Sequence, residues 1–275
     1  MKKNRRVAAL ISELTANPRR LYRISYFCEK FGAAKSSISE DIKSASEILT
    51  ESGRGRLETV PGAGGGVRFV AGITEDAAEA VLDKLCIRLS NPSRVLVGEF
   101  LYTSDIMFES HDVRDMALIF AEVFKDVEAD YIVTVETKGV PLALAVSHFL
   151  NIPLVVARRE AKHSEGSTIS IHYFSDSNER IQRLSLSRRA VEQGKKAIII
   201  DDFMRAGGSL KGLTEILLEF DITTVAAGVA IASRMPAKKK ISEYTPLLYL
   251  DEINEFDNKK VSVSPNRELF THNTQ

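Results

Sequence analysis

The sequence predicts an α/β protein of two domains, an N-terminal winged helix-turn-helix over residues 1–74 and, over residues 75–275, a domain built on a mainly parallel sheet. Three observations predict it. Three short segments before Leu57 carry apolar residues at helical spacing, and two strand-like runs then flank a glycine-rich tip. From Tyr131 onward, short β-branched runs alternate with helical patterns, as in strands joined by helical crossovers. The charge is also divided: residues 1–74 carry 13 Lys and Arg against 7 Asp and Glu, a net of +6, although the whole chain of 275 residues is neutral.

In the first domain, Val7, Leu10, Ile11 and Leu14 form one helical stripe, and Ile24, Phe27, Cys28 and Phe31 form a second that Gly32 closes. Ile38, Ile42, Ala45 and Leu49 mark a third helix, with Ser37 and Glu40 in capping-box spacing. The short turn from Gly32 to Ala34 makes the last two a helix-turn-helix, whose second helix enters the major groove. Its expected contacts are Lys35, Ser36, Ser37 and Ser39. Leu57 to Val60 and Val67 to Val70 then form a wing around residues 61–66, with Gly64 and Gly65 at the tip and Arg54, Arg56 and Arg68 beside it, placed for a sugar-phosphate backbone. The basic excess favours double-stranded DNA as partner, and a protein-interaction role for the winged helix is the alternative.

In the second domain, Thr74 is an N-cap for a connector helix with Ala77, Val81, Leu82, Leu85 and Leu89 on one face. Leu101 to Phe108 is expected as a strand, and Ser110 as the cap of a helix. The alternation then runs Tyr131 to Val135 (strand), Pro141 to Leu150 (helix), Leu154 to Ala157 (strand), Lys196 to Ile200 (strand), Leu210 to Phe220 (helix) and Thr223 to Ala232 (strand). Thr168 to Tyr173 and Arg180 to Ser187 alternate like an antiparallel hairpin.

Lys196 to Ser209 carries the chemistry. A buried strand ends in Asp201 and Asp202, followed by Phe203, Met204, Arg205, Ala206, Gly207, Gly208 and Ser209, and then a helix. Open α/β sheets bind ligands at the C-terminal ends of their strands. Glycines let the backbone approach a ligand, the free amides and dipole of a helix N-terminus attract phosphate, and paired carboxylates accept bonds from vicinal hydroxyls. A ribose 5-phosphate is the implied ligand, whereas ordinary loop chemistry is the bland alternative. Thr137, Lys138 and Gly139 follow another strand, so their amides and the lysine can take a second phosphate or a pyrophosphate. The excursion from Arg158 to Gly166, with Arg159, Lys162 and His163, reads as a lid over a polyanion.

Other chemistry is disfavoured. The five histidines, His111, His148, His163, His172 and His272, lack metal-ligand spacing, and Cys28 and Cys86 sit at apolar helix positions, so neither a metal site nor a disulfide is expected. Lys238-Lys239-Lys240 reads as a solvated face. No stretch is long enough to span a membrane or to serve as a signal peptide, which places the chain in the cytoplasm.

The segment Ile198 to Ser209 resembles the PRPP-binding motif of type I phosphoribosyltransferases, and Thr137-Lys138-Gly139 looks like their pyrophosphate loop. With its winged helix, the chain is similar over nearly its whole length to the purine operon repressor family of Gram-positive bacteria. That resemblance implies a homodimer that represses purine synthesis and transport genes. It also implies PRPP as a regulatory ligand that relieves repression. No cofactor is required, PRPP with or without Mg2+ is the expected ligand, and a competing purine nucleotide is the alternative one. Type I transferases often carry two threonines before the paired glycines. This chain has Met204-Arg205-Ala206 there and no evident hood for a base, so binding without catalysis is expected. An active phosphoribosyltransferase with autoregulatory nucleic-acid binding and a protein-interaction adaptor are the alternatives.

Overall fold

Helices α1 (Lys3–Ala16), α2 (Ile24–Phe31) and α3 (Lys35–Glu51) bury the stripes that their spacing predicts, with Leu10, Leu14, Phe27 and Ile38 fully inside. Each such side chain contributes about 1.5–3 kcal/mol by leaving water. The computed structural model describes residues 1–62, 64–160, 166–175, 180–257 and 259–270. It divides into two units, Met1–Thr74 with His148–Asn151, and Glu75–Ser147 with Ile152–Gln275.

In the first unit, Gly32 closes α2 in the left-handed conformation (φ 60°), which glycine adopts without strain. Helix α3 starts at Lys35 with Ala34 before it and no side-chain cap, two residues ahead of the expected capping box, so Ser37 lies inside the first turn. Arg6 on α1 reaches Asp41 on α3 through two guanidinium bonds, at 2.6 and 3.2 Å, which satisfies a fully buried carboxylate. Strands β1 (Gly55–Val60) and β2 (Gly66–Ala71) pair antiparallel, and Tyr22 bridges to Val67 as a short third segment. Three helices and a two-stranded wing are the expected winged helix.

The second unit opens with α4 (Glu75–Leu89). Residues 101–108 are not the expected strand. Instead β3 (Val95–Leu96) and β4 (Phe100–Leu101) make a small hairpin, followed by the single turn α5 (Ser104–Met107). The cause is local: Gly98 turns the chain at positive φ, Asp105 at the start of α5 pairs with both terminal nitrogens of Arg94, and Ile106 and Met107 are buried by the helical turn. Helix α6 (Ser110–Val123) is capped by Glu109, whose carboxylate accepts the amides of His111 and Asp112, and not by Ser110.

The remaining elements are β5 (Tyr131–Val135), α7 (Gly139–Leu150), β6 (Leu154–Ala157), β7 (Thr168–Ser175), β8 (Arg180–Ser187), β9 (Lys196–Met204), α8 (Gly208–Leu218), β10 (Thr223–Ser233), β11 (Thr245–Asn254) and β12 (Lys260–Pro265). The six-stranded sheet has the order β12-β11-β10-β9-β5-β6, with only β12 antiparallel to its neighbour. β7 and β8 pair separately as an antiparallel hairpin. Ile198, Ile199 and Ile200 are fully buried, as a strand covered on both faces requires. Because β5 and β9 lie side by side and parallel, the loops after them open at one edge.

Two departures shape that edge. β9 runs on through Asp201 and Asp202 to Met204, staying in register with β10, so the acidic pair belongs to the strand and does not follow it. β11 and β12, absent from the sequence reading, extend the sheet beyond β10.

Candidate functional site

The site lies on the C-terminal ends of β9, β10 and β11. Asp201 is buried (4% exposed) and its Oδ1 accepts the Asp202 amide at 3.0 Å, whereas Asp202 is half-buried and lines a cavity of about 880 Å³. Alternation along the strand separates the two carboxylates: successive side chains leave opposite faces, so one is packed inward while the other meets the cavity. Burial pushes both carboxyls above the ordinary aspartate range. The Asp201 carboxyl is raised well above it, with the Asp202 charge adding to the effect, while Lys138 and Arg159 act in the opposite direction on Asp202. Such carboxylates gain from hydroxyl donors or cations brought to them.

Gly139 joins the second loop to this pair. A Cβ at Gly139 would lie 2.6 Å from Thr134 Oγ1 and 2.8 Å from Asp201 Oδ1, so only glycine lets the start of α7 settle on the strand end. Thr137 is exposed, Lys138 lines the cavity beside Asp202, and the Glu136–Thr137 peptide bond is cis. Thr134 Oγ1 has no hydrogen-bond partner among the described residues.

The glycine loop forms the other wall. Gly207 is at φ 93° and is the N-cap residue of α8, and residues Phe203 to Leu210 line a water-sized hollow over the first amides of that helix. A Cβ there would approach Ile241 Cγ2 to 2.9 Å, a second reason for glycine. Arg205 is exposed and borders both the hollow and the large cavity, while Ala206, Gly208 and Ser209 complete the turn. Met204 is 1% exposed and belongs to the buried apolar cluster that also holds Leu210 and Ala232, while contributing to the lining of the hollow.

The cavity has walls that the sequence reading missed. Phe100 and Leu101 of the β3–β4 hairpin, Phe174 of β7, Met235, Pro236, Leu250 and Ile253 join the expected Phe203 to give it an apolar, aromatic side. This apolar wall is assembled from residues distant in sequence. Of the lid residues, Arg158 pairs its backbone with Ser185 on β8 and its side chain with Glu136 at 3.4 Å. Arg159 donates its amide to Glu136 at 2.8 Å and keeps an exposed side chain, and Lys162 lies outside the described residues. Among the described residues, no group of three or more His, Cys, Asp or Glu could hold a metal.

On the first unit, Lys35, Ser36 and Ser39 are exposed at the start of α3, and Ser37 is half-buried. Gly64 is exposed at the wing tip and Arg54 is exposed at its base. Arg56 and Arg68 are less available than expected, because Glu58 between them accepts bonds from both, at 2.9 and 2.8 Å. Gly65 holds the wing turn through its amide to Gly62 O at 3.0 Å.

Residues 2–71 match the family model for the N-terminal domain of the bacterial purine repressor, and residues 111–266 match the phosphoribosyl transferase domain. Over 249 residues, 90% of this chain and 87% of the relative, 39% of positions are identical to the purine biosynthesis transcriptional repressor PurR of Bacillus subtilis. The chain belongs to the bacterial purine repressor family. Another member, the purine biosynthesis transcriptional activator PurR of Lactococcus lactis, is 31% identical over 96% of this chain and 97% of its own length. The larger unit also has a solved likeness in fold: adenine phosphoribosyltransferase from Rhodothermus marinus superposes with a TM-score of 0.53 at 18% identity, covering 64% of this chain and all of that one. For a purine repressor family member, the acidic pair, the glycine loop and the Lys138 loop thus sit on a transferase-type fold joined to a winged helix.

Proposed function

We propose that the protein is a cytoplasmic, homodimeric transcriptional repressor of purine biosynthesis and transport genes that senses PRPP at a catalytically silent phosphoribosyltransferase-type site. In this reading, residues 1–74 bind operator DNA and residues 75–275 bind the effector. The observation that carries the effector half is the convergence of Lys138, Asp202, Arg205 and the Phe203 to Leu210 hollow on one cavity. The hollow suits the 5-phosphate, Asp202 the ribose hydroxyls, and Lys138 with the Thr137 and Gly139 amides the pyrophosphate, on which Mg2+ would be carried. For DNA, the uncapped first turn of α3 leaves amides for a backbone phosphate beside the exposed Lys35, Ser36 and Ser39.

Silence rests on Arg205, a cation standing where transferases place small hydroxyl residues. Effector and DNA then compete by linkage: PRPP lowers operator affinity by the factor by which operator lowers PRPP affinity. Binding to DNA upstream of purine-synthesis genes, with affinity falling steeply as salt rises, tests the DNA half. A reporter driven from that DNA gives the sign, since a repressor raises expression on deletion and an activator lowers it.

The aromatic wall of the cavity favours a second reading, an active transferase that holds a purine base between Phe100, Phe174 and Phe203. Release of pyrophosphate from PRPP with any base of a purine and pyrimidine panel supports it, and none across the panel removes it.

A further inference from the structure

Lys238-Lys239-Lys240 is not a solvated face throughout. Lys239 Nζ donates to Arg205 O at 2.6 Å and to Ser233 O, and Lys240 N donates to Ala206 O at 2.7 Å. Lys240 Nζ also stands 4.6 Å from the centroid of Phe174, and Ile241 packs against Gly207. The segment after β10 is therefore a strap laid against the glycine loop, fastened at two consecutive carbonyls.

The geometry of the peptide unit turns that fastening into a directional device. The Arg205–Ala206 and Ala206–Gly207 peptides are trans, and in a trans peptide the N–H points opposite to the C=O. With the Arg205 and Ala206 carbonyls turned to the strap, the Ala206 and Gly207 amides point away from it, and both residues line the hollow, to which the strap does not contribute. Peptide planes in a glycine turn rotate easily, and rotating either one would present a carbonyl, which repels an anion. A half-buried ammonium anchoring one carbonyl opposes that rotation and places positive charge behind the loop.

We infer that Lys239 is a positioning residue for an anionic ligand, holding the loop amides in the orientation that accepts a phosphate, with the Lys240 amide as second fastening. This rests on the reading of residues 205–209 as a phosphate site. It assigns the strap to the 5-phosphate end and leaves the pyrophosphate end, at Lys138, independent of it.

The test uses the full chain and three probes: PRPP, ribose 5-phosphate and inorganic pyrophosphate, each titrated by calorimetry. Lys239→Met keeps the stem and removes the ammonium. It is expected to weaken ribose 5-phosphate and PRPP on the order of tenfold and to leave pyrophosphate within twofold, while Lys239→Arg, which can still donate to two carbonyls, restores binding. Equal weakening of all three probes, or none, overturns the inference. In the wild-type protein, which avoids any question of folding, the amide resonances of Ala206 and Gly207 are expected to shift with ribose 5-phosphate, and unmoved amides overturn it too. Failure of the wild-type protein to bind ribose 5-phosphate at all is the separate result that removes the phosphate site itself.

Discussion

Asp201 and Asp202 adjoin in sequence, yet only Asp202 lines the cavity, while Asp201 is packed against the position of Gly139 and receives the Asp202 amide. The two are therefore expected to behave differently. Asp202→Asn should weaken PRPP about tenfold or more without lowering the melting temperature, since it removes a charged acceptor facing the ligand. Asp201→Asn should change affinity less than threefold. Calorimetric titration of both variants reads the difference, and equal losses would contradict it.

The raised carboxyl pKa values give a stability profile with a definite sign. The native state holds protons on Asp201 and Asp202 at pH values where the unfolded chain, with aspartates near 3.9, has released them. The stability this supplies is full below about pH 4 and is lost as pH rises through the native values. Asp201→Asn removes the larger part, so the variant should gain on wild type as pH increases from 4 toward neutrality. Urea midpoints across that range measure it, and a pH-independent difference would contradict the burial assignment.

Gly139→Ala places a methyl group 2.6 Å from Thr134 Oγ1 and 2.8 Å from Asp201 Oδ1. The loop has to move or the strand end has to give, at about 1–3 kcal/mol. Loss of pyrophosphate binding with a lowered melting temperature is the expected pair of observations. Retention of both means that α7 can shift without disturbing the site.

On the DNA side, Glu58 draws Arg56 and Arg68 into a shared ion pair on the wing. Glu58→Gln frees both guanidiniums, so DNA affinity should rise and its logarithmic salt dependence should steepen by about one unit per phosphate gained. Arg54→Ala, at an exposed unshared position among the described residues, should shift both in the opposite direction. Fluorescence anisotropy across a salt series reads both.

Much of this was legible in the sequence because the local signals agreed with the tertiary setting. Apolar stripes gave the three N-terminal helices, Gly32 gave their turn, and the β-branched run at Ile198 to Ile200 gave the central strand. The failures have physical causes. Leu101 to Phe108 is apolar enough for a strand, but Arg94 and Asp105, paired from eleven residues apart, fold it into a turn and a helical cap. Asp201 and Asp202 interrupt the apolar pattern of a strand that backbone pairing to β10 carries through to Met204. The β11 strand begins beside Pro246, which hid it, whereas Val261 and Val263 of β12 alternate with polar residues and were a readable signal. The apolar cavity wall and the Lys239 contacts were out of reach, since both arise where segments distant in sequence meet at one sheet edge.

The most direct measurement is a titration of operator-bound protein with PRPP at fixed salt, followed by anisotropy, for wild type and Asp202→Asn. PRPP should release the wild-type protein from DNA in a saturable manner, and the variant should stay bound at the same concentrations while binding operator normally without ligand. If PRPP leaves wild-type DNA affinity unchanged, or releases both proteins alike, the cavity at Asp202 is not the sensor.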